Sequence, residues 1–252
     1  MTSYSNKYLF IRSCDRVIGS SSAFTVKLPS SYRNVAGISL VSAEVPFSFF
    51  NVASLYTSGV QFGYAGAWYN MVLTAGQYNI SDFQAAMLTG LKAHFPAASF
   101  TSVDYDTISA KLSIKFTGGG AFSVGSTAIG KLGQLMGCDP TGAVTTAASG
   151  TLTFPAVAGL FPYSSILMCI DNLPANVLST SSLHCFARIQ VNAPPSGMIM
   201  VCNGTNVVNS VAYKAPIASL DSLQISLKNN DGTQLDMNGQ EWTATLLVTS
   251  SD

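Results

Sequence analysis

The sequence predicts a mainly β protein: an antiparallel β-sandwich built from both ends of the chain, with a small α+β module inserted between its strands. Three observations lead there. Segments of alternating apolar and polar residues, closed by turn residues, fill the first fifty and last hundred positions. Good helical periodicity is confined to the middle third. At 252 residues the chain is long enough to bury a sizeable core, as one large all-β domain or two small ones.

The first strand is "KYLFIR", Lys7 to Arg12, followed by the turn-rich "SCDRVIGSSS". "AFTVKLP" alternates, with Phe24, Val26 and Leu28 on one face, and Pro29 is expected to close it. A third strand, "VAGISLVSAEVP", runs to Pro46 and into an aromatic corner of Phe47, Phe49 and Phe50.

The module follows. In "NISDFQAAMLTGLKAHF", Phe83, Met87 and Leu91 recur every four positions, which predicts a helix. Ser81 is the expected N-cap, with Gln84 completing a capping box and Pro96 ending the helix. "SFTSVDYDTISAKLSIKF" predicts a hairpin turning at Asp106 to Ser109, with Leu112, Ile114 and Phe116 on one face. After the Gly118–Gly120 break, "AIGKLGQLMG" predicts a short helix ending at Gly137. Asp139 to Thr151, rich in small residues, predicts a loop.

Strands then return: "SSILMCID", "LHCFARIQV", "MIMVCN", "NVVNSVAY", "LDSLQISLK", "TQLDMN" and "EWTATLLVT". Asn229-Asn230-Asp231-Gly232 is the clearest turn, and Trp242, Ala244, Leu246 and Val248 face the core of the last strand. The expected boundaries are 1–59 and 151–252 for the sandwich and 60–150 for the module. Three strands before the module and about seven after it approach the eight strands in two sheets of a single jelly roll.

Composition narrows the function classes. Charged residues make up 10% of the chain against about 25% in a usual soluble domain. Such a surface must be built from Ser, Thr, Asn, Gln and Gly, and low charge favours association. Much of it is therefore expected to lie against neighbouring subunits, whose contact centres also shed charge. Twelve cationic residues balance twelve acidic ones with no basic run, which argues against direct nucleic-acid binding. The opening residues lack the apolar core of a signal peptide. The run Phe154 to Ile170 is broken by Pro155, Pro162 and a Ser pair, so it reads as a turn and a buried strand rather than a membrane span.

Five cysteines, Cys14, Cys138, Cys169, Cys185 and Cys202, show no metal-ligand spacing and read as free, mostly buried thiols of a reducing compartment. Sequons at Asn79 and Asn203 read as chance, since they matter only in a secreted protein.

Candidate chemistry is sparse. His94 ends the predicted helix, where an imidazole interacts with terminal carbonyls. His184 adjoins Cys185, but strand neighbours point to opposite faces and cannot form a nucleophile–base pair. Asp104 and Asp106 share a strand face without a third ligand, and Asn229 to Asp236 lacks the spacing of a calcium loop. "FTGGGAFSVG" lacks the Lys-Ser or Lys-Thr of a phosphate loop. No metal, cofactor or catalytic residue is expected. Tyr64, Trp68 and Tyr69, close together in "GYAGAWYN", are the candidate surface or interface aromatics, with core or interface packing the commoner use and sugar binding still open.

Taken in order, "YLFIRSCDRVIGSSSAFTVKLP", "NVAGISLVSAEVPFSFFNV", "GQYNISDFQAAML", "FTSVDYDTISAKLSIKF" with "LGQLMG", and "LQISLKNNDGTQLDMNGQEWTATL" resemble the penton or minor capsid proteins of icosahedral double-stranded DNA viruses. The relatives suggested are the single jelly-roll pentons of virophages, polinton-like viruses and related large DNA viruses. The resemblance implies a structural virion protein, assembled inside the host cell, with no reaction to perform. It implies a homopentamer at each five-fold vertex, beside trimers of a double jelly-roll major capsid protein, and an outward insertion domain that about Val60 to Gly150 could supply. No site residues transfer with it. Three alternatives stay open: a minor cement protein between capsomers, a carbohydrate-binding attachment jelly roll, and a thiol hydrolase using Cys185 or Cys169.

Overall fold

The structure, a computed structural model, describes residues 4–52, 60–125, 131–139, 141–148, 150–160, 164–173, 177–178, 184–202 and 210–251. It divides into two compact units, Met1–Phe49 with Tyr163–Asp252, and Phe50–Pro162. Along the chain run β1 (Tyr4–Arg12), β2 (Ile18–Ser20), β3 (Ala23–Pro46), β4 (Val60–Tyr64), β5 (Ala67–Met71), α1 (Ile80–His94), β6 (Ser99–Asp106), β7 (Lys111–Thr117) and β8 (Phe122–Gly125). Then come α2 (Lys131–Met136), β9 (Thr145–Ala147), β10 (Gly150–Thr153), β11 (Ser165–Ile170), β12 (Val177–Leu178), β13 (His184–Cys185), β14 (Ala187–Gln190), β15 (Met198–Cys202), β16 (Ser210–Lys228) and β17 (Thr243–Ser251). The fold is mainly β and antiparallel, of the jelly-roll type the sequence predicts.

In the first unit the ladder runs β1-β17-β3-β16-β11-β14, and β2 and β15 also pair with β3. β1 and β17 match without interruption from Tyr4 opposite Ser251 to Arg12 opposite Thr243. Their inward residues, Leu9 and Ile11 against Ala244, Leu246 and Val248, are all buried. Trp242 precedes β17; it is 1% exposed, its ring is tilted against Phe24, and its indole N–H donates to the Ser21 carbonyl at 2.6 Å.

β3 and β16 correct the sequence reading, which divided each into two strands. Pro29 does not end a strand. Opposite β16, Lys27 pairs with Ser222 and Tyr32 with Leu220, so residues 28–31 face one residue of the partner. Pro29 sits in that gap, where its missing N–H removes no ladder bond. Pro216 sits likewise between Ala212 and Ile217, the other shift in β16.

The inward face of β3 changes along its length. Phe24, Val26, Leu28 and Tyr32 are buried, then Val35, then Ile38 and Leu40, then Ala43 and Val45. The first change in parity coincides with Asn34, at φ 49°. The next two coincide with register shifts against β17 between Val35 and Gly37 and between Leu40 and Ser42. Bulges of this kind let one strand turn a corner and serve both layers of a sandwich. At the corner a Cβ on Gly37 would lie 2.8 Å from the Val211 carbonyl oxygen, so only glycine allows the two backbones to approach this closely.

The Asn229–Gly232 turn forms as expected. Gly232 has φ 86°, the Asn229 side chain accepts the Asp231 and Thr233 N–H groups, and the chain returns through a bridge between Lys228 and Gln234. "TQLDMN" contributes that bridge rather than a strand.

The second unit holds two sheets, β5-β4-β8-β9 and β10-β7-β6, with α1 packed beside them. Phe83, Met87 and Leu91 bury the predicted helix face against a core that includes Phe62, Phe116, Phe122, Leu112 and Ile114. The cap differs from expectation. Asn79, not Ser81, is the N-cap, accepting the Asp82 N–H at 2.8 Å, while Gln84 donates to the Val103 carbonyl at 2.8 Å instead of reaching back. The β6–β7 hairpin turns after Asp106, and α2 ends at Gly137 with φ 80°. The expected loop from Asp139 to Thr151 holds β9 and the start of β10, because its threonines pair against β8 and β7, and tertiary pairing outweighs small-residue composition.

Among the described residues no helix is long and apolar enough to cross a membrane. The Asn203 sequon, the first residues of "NVVNSVAY", positions 128–130 of the second helical segment and the His184 side chain lie outside the described residues.

Candidate functional site

The candidate aromatics are not one cluster. Tyr64, at the end of β4, is 8% exposed and belongs to the core of the second unit, its ring 6.3 Å from that of Phe95. Tyr69 is half-buried and stacks on His94 with ring centroids 3.3 Å apart, which gives the histidine an aromatic partner at the helix terminus. Trp68 points the other way, 51% exposed, with its indole over Gly63 of the paired strand. The rung continues through Ser123 to Thr146, whose hydroxyls are 2.9 Å apart.

Asp104, Asp106 and three of the five cysteines are held in structural pairs or under cover. Asp104 bonds Lys115 at 2.9 Å, and that bond holds its carboxyl below the usual range; Asp106 is lowered by the Ser109 hydroxyl and the Ile108 N–H of the hairpin turn. Cys138, Cys169 and Cys185 are buried, and desolvation raises all three thiols, Cys138 to about 12. A nucleophilic thiol needs the opposite environment. Cys14 and Cys202 are exposed. Among the described residues, no three His, Cys, Asp or Glu side chains gather as metal ligands.

One network, buried at Ser13 and Trp242 and open to solvent at Glu241, ties the two ends of the first unit together. The Ser13 hydroxyl donates to the Glu241 carboxylate and accepts the Trp242 N–H at 2.9 Å, while Arg16 donates to Glu241 at 2.7 Å and to the Ser13 carbonyl at 2.9 Å. It borders a hollow of about 500 Å³ lined by Arg16, Ser20, Ser22, Gln234, Asp236 and Glu241 among others.

The largest departure from a bland surface is apolar. Tyr4, Tyr8 and Phe10 project from β1 at 64%, 71% and 61% exposure, and Val17 and Ile18 are also exposed where β2 begins. On β15, Met198 and Met200 are about half exposed, while Ile199 between them is fully buried.

No protein-family model matches the chain, and no curated protein does. Among solved structures it is similar to the crystal structure of the selenomethionine-labelled mavirus penton protein, at 11% identity and a TM-score of 0.56 over 99% of this chain and 100% of that one. The fold is penton-like.

Within this penton-like fold, sequence reasoning placed the strands but missed the surface of β1. A signal was present in "KYLFIR": Leu9 and Ile11 supply one apolar face, and Tyr8 and Phe10 supply a second. A half-solvated strand needs only one apolar face, and two mark a strand covered on both sides. Met198 and Met200 carry the same signal in "MIMVCN".

Proposed function

We propose that the chain is a structural virion protein, the penton subunit at the five-fold vertex of an icosahedral double-stranded DNA virus capsid. It forms a homopentamer there and contacts the double jelly-roll major capsid protein. The observation that carries this reading is the likeness to a viral penton protein along the full length of both chains. Physical support comes from the charge-poor composition and from apolar side chains left in water on the strands of the first unit. Each copy in a closed ring covers such surface with its neighbours. The test is the native mass of the purified protein with electron microscopy of the particles. Rings of five chains are expected, and a stable monomer at high concentration overturns the reading.

A second reading, a carbohydrate-binding attachment surface, is favoured by Trp68 over Gly63 beside the Ser123 and Thr146 hydroxyls. An aromatic face flanked by hydroxyls suits a sugar ring. It predicts glycan-array binding that is lost in Trp68→Ala, and silence across the array removes it.

A further inference from the structure

The exposed apolar side chains of the first unit lie at two opposite edges of one sheet. β3 pairs on one side with β17, which pairs with β1, and on its other side with β15. Ser42 and Glu44 take partners on both sides, Thr245 and Thr243 from β17, Cys202 and Met200 from β15. The order across this layer is therefore β1-β17-β3-β15. Among the described residues β1 pairs only with β17 and β15 only with β3. β1 is an open edge, on the β15 edge the Met200 carbonyl accepts the Asn192 side-chain amide at 3.0 Å, and β2, whose Ile18 is 69% exposed, pairs with β3 on the β17 side.

Long apolar edges in a soluble protein invite another chain. A fully buried aromatic side chain covers about 150–250 Å², so three that are about two-thirds exposed leave roughly 300–500 Å² in water, about half of the ~800 Å² each partner gives to a stable interface. The two edges also differ in chemistry. One presents aromatic rings, the other thioethers, which make favourable contacts with ring edges and adapt in shape.

We propose that the β1 edge of one copy docks against the β15 edge of the next, with Tyr8 and Phe10 covered by Met198 and Met200. The contact rests on the ring-forming reading above and gives it a direction. Two different edges meeting make a head-to-tail interface, the type that closes into a ring, whereas one edge meeting itself stops at a dimer.

Two surface variants test it, Tyr8→Ser with Phe10→Ser, and Met198→Ser with Met200→Ser, each checked for an unchanged circular dichroism spectrum and followed by sedimentation. Each alone is expected to be monomeric, with the dissociation constant raised at least about 30-fold, as for residues at an interface hot spot. Mixed in equal amounts, they retain one intact pair of edges between them. Heterodimers, and nothing larger, are expected. Persistence of the wild-type oligomer in either variant overturns the contact and leaves the ring reading standing. Self-dimers of the methionine variant overturn it in favour of β1 meeting β1. A monomeric wild-type chain overturns the ring reading, and the contact with it.

Discussion

Ser13 and Glu241 meet across 228 positions of chain, and the serine hydroxyl that donates to the carboxylate also accepts the Trp242 backbone N–H. Ser13 is fully buried, and its own N–H donates to the Trp242 carbonyl at 2.9 Å. Deleting that hydroxyl leaves a buried backbone donor without its acceptor, which costs about 1–3 kcal/mol. Ser13→Ala is expected to lower the unfolding free energy by that amount, read as a lower urea midpoint with an unchanged m-value, since compactness is unaffected.

The same network sets a pH dependence. The Ser13 hydroxyl first, then Arg16, hold the Glu241 carboxyl below its ordinary value of 4.5. A carboxyl that is more acidic in the folded state contributes stability that is complete above the unfolded value and lost as pH falls through the folded one. Stability is therefore expected to decline as pH falls below about 4.5. Asp15, lowered by Arg12, and Asp104, lowered by Lys115, act in the same direction. Denaturation midpoints measured between pH 7 and pH 3 check this, and Ser13→Ala should flatten the decline.

Thiol accessibility follows from burial. Cys14 and Cys202 are exposed, while the other three thiols are buried and raised, Cys138 to about 12. A thiolate-selective reagent at pH 8 is expected to modify two cysteines per native chain and five in denaturant. Fast reaction of a third cysteine in the native chain would contradict the packing around β11, β13 or the end of α2.

At the start of α1 the choice of cap is decided by one bond. Asn79 accepts the Asp82 N–H, whereas Ser81 lies inside the helix. Asn79→Ala is expected to lower stability by about 1 kcal/mol, the usual cost of losing a cap, and Ser81→Ala to change it far less. Thermal unfolding of the two variants side by side separates them.

The strands were legible wherever one face is buried and the other solvated. Trp242, Ala244, Leu246 and Val248, or Leu112, Ile114 and Phe116, declare their inward side by alternation alone. Alternation could not show that β3 continues past Pro29 or β16 past Pro216, because a proline breaks a strand only where a ladder bond is required, and which ladder bonds exist depends on the partner strand. β9 was hidden for a related reason: Thr145 to Ala147 gain strand geometry from pairing with Phe122 to Val124, not from their own pattern. In the aromatic trio, alternation does put Trp68 and Tyr69 on opposite faces, but sequence proximity obscured it. That Tyr64 lies in a core became visible only with Phe95 placed against it.

The corner where β3 crosses between layers supplies the last test. Gly37 pairs with Ala212 on one side and with Thr249 on the other, and a Cβ there would meet the Val211 carbonyl oxygen at 2.8 Å. Its φ is not in the left-handed region, so the constraint is space rather than backbone conformation. Backbone cannot yield as a flexible side chain does, and the strands must separate to admit the methyl group. Gly37→Ala is expected to cost about 1–3 kcal/mol, the range for overpacking. Hydrogen exchange should locate the loss: amides of Val211 and Ala212 exchange faster in the variant, while those of β6 and β7 in the other unit keep their protection. Unchanged exchange at Val211 would mean that the corner is looser than this approach of backbones requires.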